Sequence, residues 1–154
     1  MSREVRRVAK DWQHPRNLGT YSNGAPRYEP LHEGYAEAAA DFLQRASTEG
    51  LQGALDYYGS APNKDEYMPE WPEAEKTHLM MYETCSEGTP ISPAFATAEE
   101  LARWLADNKA SAFGDMTATY EQWLAMCRVG HSVGSGVAIG GVMMSGVAAV
   151  SEIP

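Results

Sequence analysis

HLMMYETCSEGTPISPAFATAEELARWLADN, residues 78–108, decides the fold. His78 to Thr84 is rich in large apolar side chains and predicts a strand. Ser86 to Pro90 supplies turn chemistry around Gly88. Ile91 to Ala96 predicts a second short strand, and Pro90 and Pro93 assign it to a sheet edge because proline cannot donate to a ladder. Thr97-Ala98-Glu99-Glu100 has capping-box spacing, with a hydroxyl for the N3 amide and a Glu reaching back. The helix that follows, Ala98 to Asn108, buries Leu101, Trp104 and Leu105, and Asn108 ends it in the left-handed conformation. A hairpin that runs into a helix predicts an α+β fold. A small antiparallel sheet built from hairpins packs against about four helices.

On the C-terminal side, Lys109 to Met116 is a loop around Phe113 and Gly114. Thr119 and Gln122 repeat the capping-box spacing, so a helix runs to about Arg128 over Tyr120, Trp123, Leu124 and Cys127. Val137-Ala138-Ile139, Gly140-Gly141 and Val142-Met143-Met144 have the form of a tight hairpin. Gly146 to Val150 adds a short terminal turn.

On the N-terminal side, Arg3 to Trp12 (REVRRVAKDW) predicts a short strand that ends at the His14-Pro15 turn. Gly19 to Pro30, with two Gly/Pro clusters, reads as loop. From Tyr35, apolar residues at Ala38, Ala39, Phe42, Leu43 and Ala46 follow helical spacing, and Gly50 ends that helix. A second helix, Leu51 to Tyr58, is expected to bury Leu51, Leu55 and Tyr58. The prolines at 62, 69 and 72 forbid a continuous element between them. The organisation expected is one domain over 1–154. It has an N-terminal strand and loop arm (1–30) and a Gly-rich C-terminal hairpin and tail (130–154).

Bulk composition narrows the function. The chain has 154 residues, 44% of them hydrophobic, enough for an ordinary globular core. Its 12 basic and 21 acidic residues give a net charge of −9. That balance argues against direct nucleic-acid binding, which needs cations to displace counterions from phosphates. It is compatible with plain solubility, or with an acidic surface that meets a basic partner. The N-terminus lacks the apolar core of a signal peptide, and the most apolar stretch, Val133 to Val150, is interrupted by glycines. With only two cysteines, Cys85 and Cys127, no disulfide framework is encoded. A cytosolic protein is expected.

The chemical motifs fail on context. The glycines of 134–141 flank a hairpin, and no Lys follows Lys109, so they do not form a phosphate loop. His14, His32, His78 and His131 share no i, i+3 or i+4 pair, so no metal and no cofactor is expected. Glu83 and Glu87 flank Cys85 and would raise its pKa rather than activate it. No GxSxG elbow exists. No catalytic residue is assigned.

Binding residues are easier to nominate. Trp12 and Trp71 lie beside Pro-containing loops and, with Tyr21, Tyr28, Tyr67 and Tyr82, either line a partner groove or roof the core. Glu83, Thr84, Ser86, Thr89 and Ser92 make a hydroxyl-rich hairpin connection, and Ser111, Phe113 and Asp115 a second small polar loop. Together these two loops either form a ligand site or are self-capped turns.

YETCSEGTPISPAFATAEELARWLADN (82–108) and SAFGDMTATYEQWLA (111–125) resemble a family of small proteins from tailed bacteriophages and prophages. REVRRVAKDWQHPRN (3–17) and YMPEWPEAEKTHLMMYET (67–84) are similar to the same family, so the resemblance covers more than half of the chain. The family has no established activity. The resemblance therefore implies a context, the cytoplasm of an infected bacterial host, and transfers no catalytic residue. The expected role is an accessory protein that binds a host or phage protein, with counter-defence as one form. The alternatives are a small-molecule or nucleotide-binding protein and a virion assembly protein, the latter as a homo-oligomer. No membrane partner is expected.

Overall fold

The computed structural model describes residues 2–84, 88–132, 136–139 and 141–152, and the fold is α+β. The chain divides into two compact units: Met1–Glu29 with Trp71–Pro154, and Pro30–Glu70.

The first unit is organised by a three-stranded antiparallel sheet in the order β1 (Arg3–Val8), β4 (His78–Glu83), β5 (Thr89–Pro90). The register pairs Val5 with Met81 and Arg3 with Glu83, while Glu4 pairs with Tyr82 and Arg6 with Met80. Residues directly opposite one another share a face, and faces alternate along a strand. Val5, Leu79 and Met81 therefore point one way, into a core with Leu101, Leu105, Trp123, Met126 and Val147. Val8, Met80 and Tyr82 point the other way and are also buried, so the sheet is covered on both faces.

The helices of the core face are α2 (Ala98–Asp107), α3 (Tyr120–Val129) and α4 (Gly146–Ser151). Thr97 accepts the Glu100 N–H at the start of α2. Thr119 and Gln122 form the full reciprocal box at α3, which ends at the left-handed Gly130. Ser145 caps α4 through the Ala148 N–H. The free edge of β1 is occupied by Gly130–Ser132, since the Val5 N–H reaches the Gly130 carbonyl at 2.7 Å and the Ser132 N–H the Arg3 carbonyl at 2.8 Å.

Three details differ from expectation. Gly19–Pro30 is not all loop: β2 (Arg16–Thr20) and β3 (Pro26–Tyr28) form an irregular hairpin turned by the left-handed Gly24. The partner strand of β4 begins at Thr89 and is interrupted at Ser92-Pro93, resuming as a bridge between Leu79 and Phe95. Across that gap the Ser92 hydroxyl accepts the Met81 N–H at 2.9 Å, where a regular strand would offer a carbonyl. The left-handed residue after α2 is Lys109, not Asn108. The C-terminal hairpin pairs β6 (Gly136–Ile139) with β7 (Val142–Ser145), and Gly140 of its turn lies outside the described residues.

The second unit is built on α1 (Tyr35–Tyr58), which is divided at Gly50 (φ 79°, ψ 164°). Phe42 and Tyr58 lie 16 positions apart, about 24 Å along a straight helix. Their ring centroids are 5.9 Å apart, so the two halves fold back on each other as a helical hairpin. Arg45 closes it with its guanidinium 3.5 Å from the Tyr57 ring centroid. Main-chain bonds from His32 to Glu66 and from Met68 to His32 tie the segment after the hairpin to the segment before it. The core of this unit is thin. Phe42, Ala54, Leu31 and Met68 are buried, whereas Leu43 and Leu51, expected inside, are 66% and 62% exposed. Tyr58, also expected inside, is 43% exposed. Among the described residues no helix is long and apolar enough to cross a membrane.

Candidate functional site

The outer face of the sheet carries the aromatic group that dominates the first unit. Trp12 Nε1 donates to the Tyr82 hydroxyl at 3.2 Å, and that hydroxyl lies 3.0 Å from His14 Nδ1. His14 Nε2 is 2.6 Å from the Glu29 carbonyl. A carbonyl only accepts, so Nε2 carries the proton and Nδ1 accepts from Tyr82. Burial holds the His14 pKa below its ordinary value, which keeps the ring neutral and the chain of bonds one-directional. Trp71 packs edge-on against Trp12 at 5.2 Å, Tyr28 edge-on against His14 at 5.8 Å, and the Arg6 guanidinium lies over the Tyr82 ring at 4.4 Å.

Beside this group opens a cleft of about 1050 Å³. Trp12, His14, Tyr28 and Trp104 contribute aromatic surface, and Arg3, Lys10 and Arg16 contribute charge. Among the described residues Glu83 is its one lining carboxylate. Of the residues nominated from sequence, Trp12, Glu83, Thr89, Ser92 and Ser111 line the cleft. Tyr82 is fully buried beneath it, and Trp71 is half-buried behind Trp12. Thr84 only extends the β1–β4 ladder, its N–H donating to the Ser2 carbonyl. Phe113 and Asp115 belong to a tight turn closed on Met116 and do not line the cleft. Ser86 lies outside the described residues.

The hydroxyls that looked like ligand contacts are spent within the protein. Ser92 Oγ accepts from Met81 and donates to the Pro93 carbonyl. Ser111 Oγ accepts from Arg3 and donates to the Gly114 carbonyl at 2.6 Å. Thr89 donates to Glu83 at 3.2 Å. Tyr21 and Tyr28, named from sequence as groove candidates, also line the cleft, and Trp104, expected in the core, packs against it and reaches the cleft as well. Sequence reasoning missed Lys10, Arg16 and His14 as cleft residues. The one available signal was the crowding of six basic residues against three acidic ones in residues 1–29.

The rest of the charge is distributed unevenly. Pro30–Glu70 holds two basic and eight acidic residues, a net of −6, while the first unit holds ten and thirteen, a net of −3. All eight carboxylates of the second unit are exposed. Glu33, Glu37 and Asp41 line one shallow depression with His32 and Tyr67. Among the described residues no group of three or more His, Cys, Asp or Glu side chains is arranged to hold a metal ion. Cys127 is buried, and burial followed by the nearby Glu99 charge pushes its thiol up to about 12, so it is no nucleophile. Cys85 lies outside the described residues.

The chain matches no protein-family model, no curated protein and no solved structure.

Proposed function

We propose that the protein is a phage-encoded accessory factor that acts in the bacterial cytoplasm by occupying a basic surface of a host or viral protein, as a counter-defence inhibitor would. The observation that carries this reading is the concentration of charge in the second unit. Two thirds of the net charge of −9 resides in 41 of the 154 residues, with every carboxylate exposed. The same unit bears Leu43, Leu51 and Tyr57, each more than 60% exposed. Apolar anchors among carboxylates suit a partner whose apolar patch is rimmed by Lys and Arg. The apolar part supplies affinity and the charges supply steering and register. The resemblance of residues 82–108 and 111–125 to phage proteins supports the cellular setting.

A capture experiment from infected host cells tests it. Wild-type protein and the variant Glu33→Gln/Glu37→Gln/Asp41→Asn are immobilised in parallel, and retained proteins are identified by mass spectrometry. The expected result is a basic protein retained by wild type, released as salt rises, and lost from the variant. An identical set on both proteins, or retention that does not respond to salt, overturns the reading.

A further inference from the structure

A second binding function belongs to the cleft of the first unit, independently of the acidic surface. Much of its polar wall is committed within the protein. The indole N–H of Trp12, the Tyr82 hydroxyl and both nitrogens of His14 are committed to one another or to the Glu29 carbonyl. The hydroxyls of Ser92, Ser111 and Thr89 are likewise engaged. What such walls offer a ligand is aromatic surface and charge.

The position of the charge sets this cleft apart. Most of its arginines have acidic or carbonyl partners: Arg6 pairs with Glu4, Arg7 with Glu73, Arg45 with Glu49, and Arg128 with Glu99. Arg3 donates to the Ser111 carbonyl. Lys10 and Arg16, like Arg27, Arg103, Lys64 and Lys109, have no such partner among the described residues, and of these six only Lys10 and Arg16 line the cleft. Both line the cleft, both are exposed, and neither side chain has a hydrogen bond or ion pair among the described residues. Arg16 rests only near the face of Tyr28, 5.9 Å from its centroid. In a chain with 21 carboxylates, two uncompensated cations at one aromatic cleft form a local anion site.

We propose that this cleft binds a small ligand in which a planar aromatic ring is joined to a phosphate, the nucleoside phosphate class. The ring lies against the Trp12, Tyr28 and Trp104 surfaces, where stacking needs no free donor. The phosphate takes Lys10 and Arg16, since two cations match a dianion better than a carboxylate. The cleft volume of about 1050 Å³ is ample for a mononucleotide. A nucleic-acid strand fits less well, because two cations neutralise at most two phosphates while a net charge of −9 repels the rest.

The test is titration of the full chain with AMP, GMP, CMP and UMP at low salt, read by tryptophan fluorescence and calorimetry. The controls are the parent nucleosides, inorganic phosphate and a ten-nucleotide single strand. At least one mononucleotide is expected to bind with a Kd below about 1 mM. Its nucleoside and inorganic phosphate should each bind at least about tenfold more weakly. Lys10→Gln/Arg16→Gln, with both changes on exposed side chains, should weaken the mononucleotide by about tenfold or more at unchanged melting temperature. The proposal is overturned by failure of all four mononucleotides, by equal binding of nucleoside and nucleotide, by an unaffected double variant, or by tighter binding of the single strand. A folding defect in the double variant transfers the decision to Arg16→Lys, which keeps the charge and should retain most of the affinity.

Discussion

The two units manage polar and apolar groups in opposite ways. In the first, a six-residue strand, Arg3–Val8, has buried residues on both faces, and even Arg3, Arg6 and the nearby His14 are enclosed. These three are matched: Arg6 by Glu4 and the Tyr82 ring, Arg3 by Ser111, His14 by Tyr82 and Glu29. In the second unit, of 41 residues, a helical hairpin leaves leucines and tyrosines in solvent beside exposed carboxylates. A segment this small has too little interior to bury all its apolar surface. The first unit therefore encloses polar groups beside a cleft, and the second leaves both apolar and charged side chains exposed.

The sharpest way to break the contrast is to empty the first core. Trp123 is fully buried at its centre, and its Nε1 has no hydrogen-bond partner among the described residues. Trp123→Ala should cost about 3–5 kcal/mol, read as a loss of denaturant midpoint. Trp123→Phe removes the unsatisfied N–H along with some volume, and the two effects oppose each other. Its cost should be under about half that of the alanine variant. Equal losses for the two would show that the indole N–H is satisfied after all.

Gly50 is the corresponding weak point of the second unit. Its backbone, at φ 79° and ψ 164°, lies in a region open to glycine and closed to other residues, and a Cβ there would meet no atom within 4 Å. Gly50→Ala therefore tests backbone strain alone, expected at about 1–3 kcal/mol. Hydrogen exchange should rise in 35–58 and remain unchanged in the β1–β4 ladder. Faster exchange in both would mean that the two units do not unfold separately.

What the sequence disclosed follows the range of each interaction. The caps at Thr97 and Thr119, the end at Gly50, and the strand His78–Glu83 depend on neighbours within a few positions, and all were readable. The pairing of Arg3–Val8 with a strand some 75 positions away was not, because nothing in REVRRV names its partner. Periodicity placed Leu43 and Leu51 inside, but it reports which residues share a face and says nothing of whether anything covers that face. The aromatics and hydroxyls of the cleft were identified by residue type. Its cations were overlooked because Lys10 and Arg16 disappear into an overall charge of −9 and gain meaning only once the fold sets them beside Trp12 and Tyr28.

The histidine of the enclosed network provides a pH test of the first unit. Burial lowers the pKa of His14 from 6.5, so on acidification the unfolded chain takes up this proton before the folded one does. Stability from the neutral ring is complete above about 6.5 and is lost as pH falls from there through the lower folded value. The melting temperature should therefore decline between pH 7 and pH 5. The decline should be shallower in His14→Gln, which has no proton to gain in that window. A parallel slope in the variant would assign the effect to other groups.

The smallest effect sharpens the picture of the second unit. Helix α1 starts after the left-handed Gly34, which has no side chain to accept the first free N–H groups. The carboxylate of Glu70, 34 positions away, accepts the Ala36 N–H at 2.7 Å instead. This bond joins the two ends of the unit and puts a negative charge at the positive end of a helix. Glu70→Ala should cost a few tenths to about 1 kcal/mol, the usual worth of an exposed cap. Exchange of the Ala36 and Glu37 amides should rise, with no change at the amides of β4. Glu70→Gln retains an acceptor and loses the charge, so it should recover part of the protection. Full recovery would assign the effect to the hydrogen bond alone, and none would assign it to the charge.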